Sequence, residues 1–395
     1  MTTSNKSNRE VSPFDFLKNH QLPIIYTCTI LTLCTLYAVQ PIQPLFEHEF
    51  NLSRFEAVIF TTAIMLPLGF APIVYGYILE TFSSKRFLKN AVLLLGLLEV
   101  VFAFTDTYFF LLSIRGLQGL LIPAVLTSLM SYISFITPKE KVQQAIGYYI
   151  GATILGGFLG RLLSGILSDI FGWRLFFILL GTALIVMFWC LEYLNEEVKI
   201  DFVKPRFSQI MDVLHVKPFF YIYAMMFFIF FVFQALLNFL PFHLKTLGET
   251  IGFGKVGLMY AGYIIGFIIS IRVLFLIRFF GSETKTIIAG IFVYTLGLQI
   301  FHISDYTVMF GGMFVFCAGF FILHSVASGL ISKLAHEKRA ISNGLYLSFY
   351  YAGGTLGTFA PGVFFHYLGW HAFIILLSAC ALSTLFFAFK ITKIL

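Results

Sequence analysis

Three charged residues stand inside apolar runs: Glu99 in NAVLLLGLLEVVFAF, Arg115 in YFFLLSIRGLQG and Arg161 in GGFLGRLLSGIL. In the middle of a bilayer each costs at least about 2.5–3.5 kcal/mol, so each calls for a partner, a cavity or a function. With a rise of about 1.5 Å per residue, all three lie roughly 9–12 Å inside the same end of their helices, and Gln40 and Gln118 fall near that level. Glu99 can pair with one arginine or carry a proton. The surplus cation would favour an anionic or strongly polar group, so Arg115 and Arg161 are expected to line the outer part of a central cavity. His324 offers a second protonatable group, because histidine titrates near neutral pH. Glu47, Asp169 and His366 lie nearer the outer ends of their runs. Arg272 sits one to two turns from an inner helix end, where its long stem can carry the charge out to the interface. Cys28, Cys34, Cys190, Cys317 and Cys380 lie in apolar runs without metal-ligand spacing, so no metal or cofactor is expected.

The elements that position these groups follow from hydropathy. Of 395 residues 59% are hydrophobic and 11% charged, against about 45–50% and 25% in soluble domains. A spanning helix needs about 20 apolar residues, and such windows recur near 22–43, 56–79, 88–105, 108–136, 145–168, 173–193, 218–241, 255–277, 286–303, 307–331, 341–366 and 371–390. The chain reads as an all-α membrane protein of twelve transmembrane helices. A cytoplasmic N-terminus places nineteen of the 26 basic residues on the cytoplasmic side and leaves Arg54, Arg174, Lys245 and Lys255 outside. The positive-inside rule then puts both termini in the cytoplasm. That asymmetry accounts for the formal charge of +7, and nucleic acid is not an expected partner.

A duplication runs through the chain at an offset of 197 residues. Gly147, Gly156, Gly157, Gly160, Gly165, Gly172 and Trp173 coincide with Gly344, Gly353, Gly354, Gly357, Gly362, Gly369 and Trp370 without a gap. Six spans per copy keep both copies in one orientation, a parallel repeat about an axis along the membrane normal. The expected organisation is a tail at 1–21, a six-helix half at 22–193, a cytoplasmic linker at 194–217 with a short amphipathic helix, a second half at 218–390 and a tail at 391–395. Two similar halves can expose a midplane site to either side by rocking. There is no phosphate loop of the form GxxxxGK[ST], so transport would draw on a gradient. No enzymatic activity is expected.

Local motifs agree. Gly76-Tyr-Ile-Leu-Glu80-Thr-Phe-Ser-Ser-Lys85-Arg86 resembles the G-x-x-x-D-R-x-G-R-K/R loop of the major facilitator superfamily, with Glu80 for the usual Asp and Thr81 for the Arg. Arg115-Gly-Leu-Gln118-Gly119 is similar to that family's R-x-x-Q-G element. Gly156-Gly157-Phe-Leu-Gly160-Arg161 and Gly172-Trp173-Arg174 resemble the fifth helix and the entry to the sixth in its drug, sugar and arabinose-efflux exporters. The resemblance covers residues 20 to 390. It implies an inner gate loop around Gly76, Glu80, Lys85 and Arg86, and a cavity lined by the first, fourth, seventh and tenth helices. Substrate contacts would then come from Tyr37, Gln40, Gln43, Arg115, Gln118, Gln234, Asn238, His324 and Ser328. Tyr149, Arg161, Tyr346 and Tyr350 would join them from the fifth and eleventh helices. Gly156, Gly157, Gly160, Gly165, Gly353, Gly354, Gly357 and Pro361 are expected to serve close packing and bending of those two helices.

The expected function is export of a small organic solute, drug-like, a sugar or a metabolite such as a siderophore, in exchange for protons. Glu99 and His324 are the candidate proton carriers. The expected location is the bacterial inner membrane, in contact with lipid, as a monomer. A proton-coupled uptake symporter and a transport-inactive receptor or assembly factor remain alternatives.

Overall fold

The apolar windows become helices because, without water, a spanning backbone must satisfy its own hydrogen bonds. The computed structural model describes residues 21–78, 84–138, 141–194, 207–248, 250–335 and 339–394. Among the described residues the regular structure is all helix. Among the described residues eight helices are long and apolar enough to cross a membrane, including the first (Gln21–Glu49), fourth (Tyr108–Ile136), seventh (Lys217–Thr246), eighth (Phe253–Phe280), tenth (Tyr306–Leu334) and twelfth (Gly362–Ile394). The fifth (Val142–Phe171) and sixth (Trp173–Cys190) contain the other two such spans. The second (Arg54–Ile78), third (Ser84–Ala103), ninth (Glu283–Ile300) and eleventh (Arg339–Phe359) complete the twelve. A short helix, Phe207–Leu214, precedes the seventh.

The duplication holds residue by residue. Gly172 separates the fifth and sixth helices at φ 85°, and its counterpart Gly369 breaks Gly362–Ile394 at φ 78°. Both adopt the left-handed region that glycine enters without steric cost. Residues 362–368 therefore belong with the eleventh span, and the twelfth starts beyond Gly369. Within the first half the Tyr26 hydroxyl donates to the Ala145 carbonyl at 3.1 Å. The second half repeats this bond 197 positions on, from Tyr223 to Ser342 at 2.9 Å. A Cβ on Gly160 would lie 2.6 Å from Cys34 Cα, and one on Gly357 would lie 2.1 Å from the Phe231 carbonyl oxygen. Glycine is thus what lets the fifth helix press on the first and the eleventh on the seventh.

Helix pairing follows the same symmetry. Fifth packs on first as eleventh on seventh, second on fourth as eighth on tenth, and third on sixth as ninth on twelfth. The halves meet where the second helix packs on the eleventh and the fifth on the eighth. Large apolar side chains face outward, with Leu274, Phe275 and Phe279 exposed by 64%, 62% and 71%. Patches of this kind mark a lipid-facing surface.

With twelve spans Gln21 and Ile394 lie toward one face, termed here the terminal face; the opposite one is the distal face. The contacts between halves run from the middle of the helices to the distal face. Gly69 approaches Ala352 near the middle, and Thr62 meets Thr358 further out. At the distal end Asp169 of the fifth helix accepts the backbone N–H of Phe253 (2.8 Å) and Gly254 (2.7 Å), capping the eighth. A carboxylate suits that position because the first amides of a helix are unpaired and carry partial positive charge. Toward the terminal face the equivalent glycines Gly147 and Gly344 have nothing within 4 Å of an added Cβ.

Candidate functional site

The site begins with a break in the first helix. Regular α-helix ends at Tyr37, a tighter turn follows at Gln40–Ile42, and helix resumes at Gln43. Pro41 and Pro44 both lack the N–H that an unbroken helix would use. The break frees carbonyls, and Arg115 of the fourth helix takes them. Its Nη1 donates to Thr35 O at 2.9 Å and its Nη2 to Leu36 O at 3.1 Å. Nε reaches Phe60 O on the second helix at 3.4 Å, and Nη1 also reaches Gln118 Oε1 at 2.9 Å. Glu99 faces Arg115, Thr35 and Gln118 from the third helix, yet neither of its oxygens completes a hydrogen bond. Arg115 and Gln118 are thereby drawn into the packing of the first half.

Arg161 is fully buried where the first, fifth, seventh and eighth helices meet. Nε donates to Gln40 Oε1 and Nη1 to the Gly157 carbonyl, both at 2.7 Å. Three tyrosine rings surround the guanidinium, at 3.9 Å for Tyr37 and 4.8 Å for Tyr260 and Tyr263. Its Nη2 has no hydrogen-bond partner. Tyr263 interacts electrostatically with the guanidinium without completing a bond to Nη2. Among the described residues no carboxylate forms a salt bridge with Arg161.

From Arg161 a chain of polar groups crosses between the halves. Gln40 Nε2 donates to Asn238 Oδ1 at 3.4 Å, and Gln43 Nε2 donates to the same oxygen at 2.9 Å and to Thr61 Oγ1 at 2.7 Å. Asn238 Nδ2 donates to the carbonyl of Thr358, the residue 197 positions beyond Arg161, at 2.7 Å. Thr358 Oγ1 in turn lies 2.7 Å from Thr62 Oγ1. Gln234 sits beside Met65 and Tyr37. Six expected residues, Tyr37, Gln40, Gln43, Arg161, Gln234 and Asn238, are thus brought into one buried cluster near the middle of the molecule.

The remaining ones stand outside this hydrogen-bonded cluster. Tyr149 donates to Leu126 O within the first half. Tyr346 lies 2.9 Å from His324 Nδ1, and Tyr350 lies against the His324 ring at 4.9 Å. Tyr350 also stacks on Phe230 at 3.6 Å, within an aromatic wall of the second half. Ser328 donates to Ser325 O along its own helix. Gly76 lies in the second helix, and Glu80 lies outside the described residues. Lys85 donates to Glu192 O at 2.7 Å and pairs with its carboxylate at 3.7 Å, alongside Lys89. It ties the third helix to the sixth rather than bridging the halves, and Arg86 is exposed. Glu192 escaped notice in the sequence because only folding brings it within reach, 107 positions from Lys85.

Gly165, Gly157 and Gly354 lie at the seam between halves, facing Phe253, Tyr263 and Met65 respectively. Gly156 and Gly353 mark close helix approaches inside each half, against Ile30 and Phe227. Pro361 falls in the turn between Phe359 and Gly362. Arg272 is exposed toward the terminal end of the eighth helix, apart from the cluster.

Comparison with known proteins agrees with this architecture. The family model described as Major Facilitator Superfamily matches residues 25–320. The chain is 26% identical over 341 residues to an uncharacterized transporter of Buchnera aphidicola from Schizaphis graminum, covering 85% of this chain and 82% of that protein. It is 28% identical over 374 residues to the inner membrane transport protein YnfM of Escherichia coli, covering 91% and 88%. The crystal structure of a point mutant of the nucleoside transporter NupG superposes with a TM-score of 0.78 at 13% identity, covering 95% of this chain and 99% of that one. The fold is that of the solved transporter, with two similar six-helix repeats. The chain belongs to the Major Facilitator Superfamily of membrane transporters.

Proposed function

We propose that this transporter exports a small organic solute carrying an anionic or strongly polar group, in exchange for protons, with both termini in the cytoplasm. The single observation behind this reading is Arg161: a buried guanidinium at the junction of the halves with an unbonded Nη2 and no carboxylate partner among the described residues. A buried charge left in that condition is costly, and a polar or anionic ligand would relieve the cost. With the termini inside, the concentration of contacts between the halves toward the distal face supports loading from the cytoplasm. Rocking about the seams of second with eleventh and fifth with eighth helix would carry the site to the other side.

Glu99 is the favoured proton carrier. It is buried beside Arg115, which holds the break that presents Gln40 to Arg161. A change of charge at Glu99 therefore has a short mechanical path to the site. His324 is tied into the aromatic wall of the second half.

The test is flux in everted vesicles containing the protein. Accumulation of labelled organic anions on energisation, abolished by a protonophore and by Arg161→Gln, is expected. Accumulation only by right-side-out cells would replace export with uptake, and partner binding without any flux would remove the transport reading altogether.

A further inference from the structure

The two halves differ at one corner of the distal face. In the first half Arg174, at the start of the sixth helix, pairs with Glu49 and with Asp106, which lies just beyond the third. Glu49 also accepts the Trp173 indole N–H at 2.8 Å, and Phe46 packs edge-on against the Trp173 ring at 4.9 Å. At the positions 197 residues on stand His371 for Arg174, Thr246 for Glu49, Ile303 for Asp106 and His243 for Phe46. The second copy has lost both carboxylates and gained two imidazoles. A third imidazole, His302, joins them from just beyond the ninth helix.

Nδ1 of His302 lies 3.0 Å from Nδ1 of His371, with the two rings 11° from parallel. His371 is exposed and His302 half-buried, so an ion in solution can reach the pair. A neutral pair in this position shares one proton between the facing nitrogens. Moving that proton to Nε2 of its own ring leaves two lone pairs free to bind one ion. A metal bound to two nitrogens at about 2.0–2.1 Å, at an angle between square-planar and tetrahedral, holds them about 2.8–3.4 Å apart. The observed separation falls inside that range. Among the described residues no third His, Cys, Asp or Glu completes a group with the pair, so water fills the other positions. His243 stacks on Trp370 at 4.0 Å, its Nε2 buried without a hydrogen-bond partner, and forms the wall behind the pair.

From this replacement we propose that the distal corner of the second half is a binding site for a divalent transition-metal ion, Cu²⁺, Ni²⁺ or Zn²⁺, held by His302 Nδ1 and His371 Nδ1. The ion staples the end of the ninth helix to the start of the twelfth, as the Arg174 ion pairs join the end of the third to the start of the sixth. Imidazole suits these metals, whereas Mg²⁺ and Ca²⁺ prefer oxygen ligands. No spacing in the chain announces the site, because its two ligands lie 69 positions apart.

The test uses the full chain, without a polyhistidine tag, in a non-ionic detergent. Cu²⁺, Ni²⁺ and Zn²⁺ should each raise the melting temperature, Cu²⁺ at the lowest concentration, and Mg²⁺ and Ca²⁺ should not. The electron paramagnetic resonance spectrum of bound Cu²⁺ should show coupling to two nitrogens. His302→Gln and His371→Gln should each weaken Cu²⁺ binding about tenfold or more and remove one of the two couplings. His243→Phe, which restores the first-half residue, should leave the spectrum unchanged. Cu²⁺ binding equal in the parent and both single variants would mean an adventitious ion only and overturn the proposal. Stabilisation by Mg²⁺ as strong as by Zn²⁺, or loss of binding in His243→Phe alone, would overturn it equally.

Discussion

Arg161 and Gln40 lie 121 positions apart and are joined by a 2.7 Å hydrogen bond from Nε to Oε1. The bond ties the fifth helix to the broken segment of the first. Through Gln40 it continues to Asn238 in the second half. A movement of one half against the other would stretch this chain of hydrogen bonds.

Removing Arg161 should separate stability from activity. A buried cation without a counter-ion is a burden to the fold, so Arg161→Met is expected to melt at the same temperature as the parent or higher. Its transport should fall by about tenfold or more, the cost of a lost charge-assisted contact to ligand. Thermal unfolding in detergent alongside vesicle flux checks both, and a strongly destabilised Arg161→Met would show a structural role instead.

Arg115 should behave oppositely. Arg115→Ala leaves the carbonyls of Thr35 and Leu36 and the carboxylate of Glu99 buried without their partner. Breaking one side of such a buried arrangement costs about 3–5 kcal/mol. Adding Glu99→Gln to Arg115→Met should recover part of the loss, and a double-mutant cycle on unfolding midpoints measures the coupling. Strict additivity would mean that the two residues do not interact.

The repeat makes a paired packing prediction. Gly160→Ala and Gly357→Ala place a Cβ 2.6 Å and 2.1 Å from neighbouring backbone, an overpacking worth about 1–3 kcal/mol each. Gly147→Ala and Gly344→Ala, which meet nothing within 4 Å, should be tolerated. Yields of folded protein in membranes, read by fluorescence-detected size exclusion, should split into these two classes.

The Asp169 cap should bias the conformational equilibrium. Asp169→Ala removes two charge-assisted bonds that hold the fifth helix to the start of the eighth. Distances between spin labels on the distal ends of these helices should then gain a longer component. A shift of about tenfold in the population ratio corresponds to about 1.4 kcal/mol, within the range of one such bond. An unchanged distance distribution would show that the seal depends on packing alone.

His302 supplies a pH test. It lies just beyond the ninth helix, its Nδ1 3.0 Å from His371 Nδ1. Burial, and then the neighbouring His371, hold its pKa below the usual histidine range. A base lowered in the folded state takes up protons more readily when unfolded, so its stability is full above a pH of about 6.5 and declines below it. The melting temperature should therefore drop between about pH 7 and pH 5.5, and His302→Gln should drop less. Identical slopes for the two proteins would exclude this histidine as a contributor.

The twelve helices and the duplication could be read from the chain because both rest on local or translational regularities. A bilayer forces each spanning backbone to satisfy itself, so a window of apolar residues is sufficient evidence of a helix. The 197-residue offset survives as coincident glycines, since Gly160 and Gly357 each face a backbone that admits no side chain. The fates of Glu99, Arg115 and Arg161 were not legible in the same way. Depth placed all three at one level, but depth is a single coordinate and pairing needs three. Only packing decided that the broken first helix would offer Thr35 and Leu36 carbonyls to Arg115 and leave Arg161 beneath three tyrosines. Lys85 shows the same limit, since its partner Glu192 lies at the far end of the half and is set beside it by the third helix packing on the sixth. Which cation is bonded to the opened backbone and which is enclosed by aromatic rings depends on contacts between helices remote in the chain, and those exist only once the bundle has assembled.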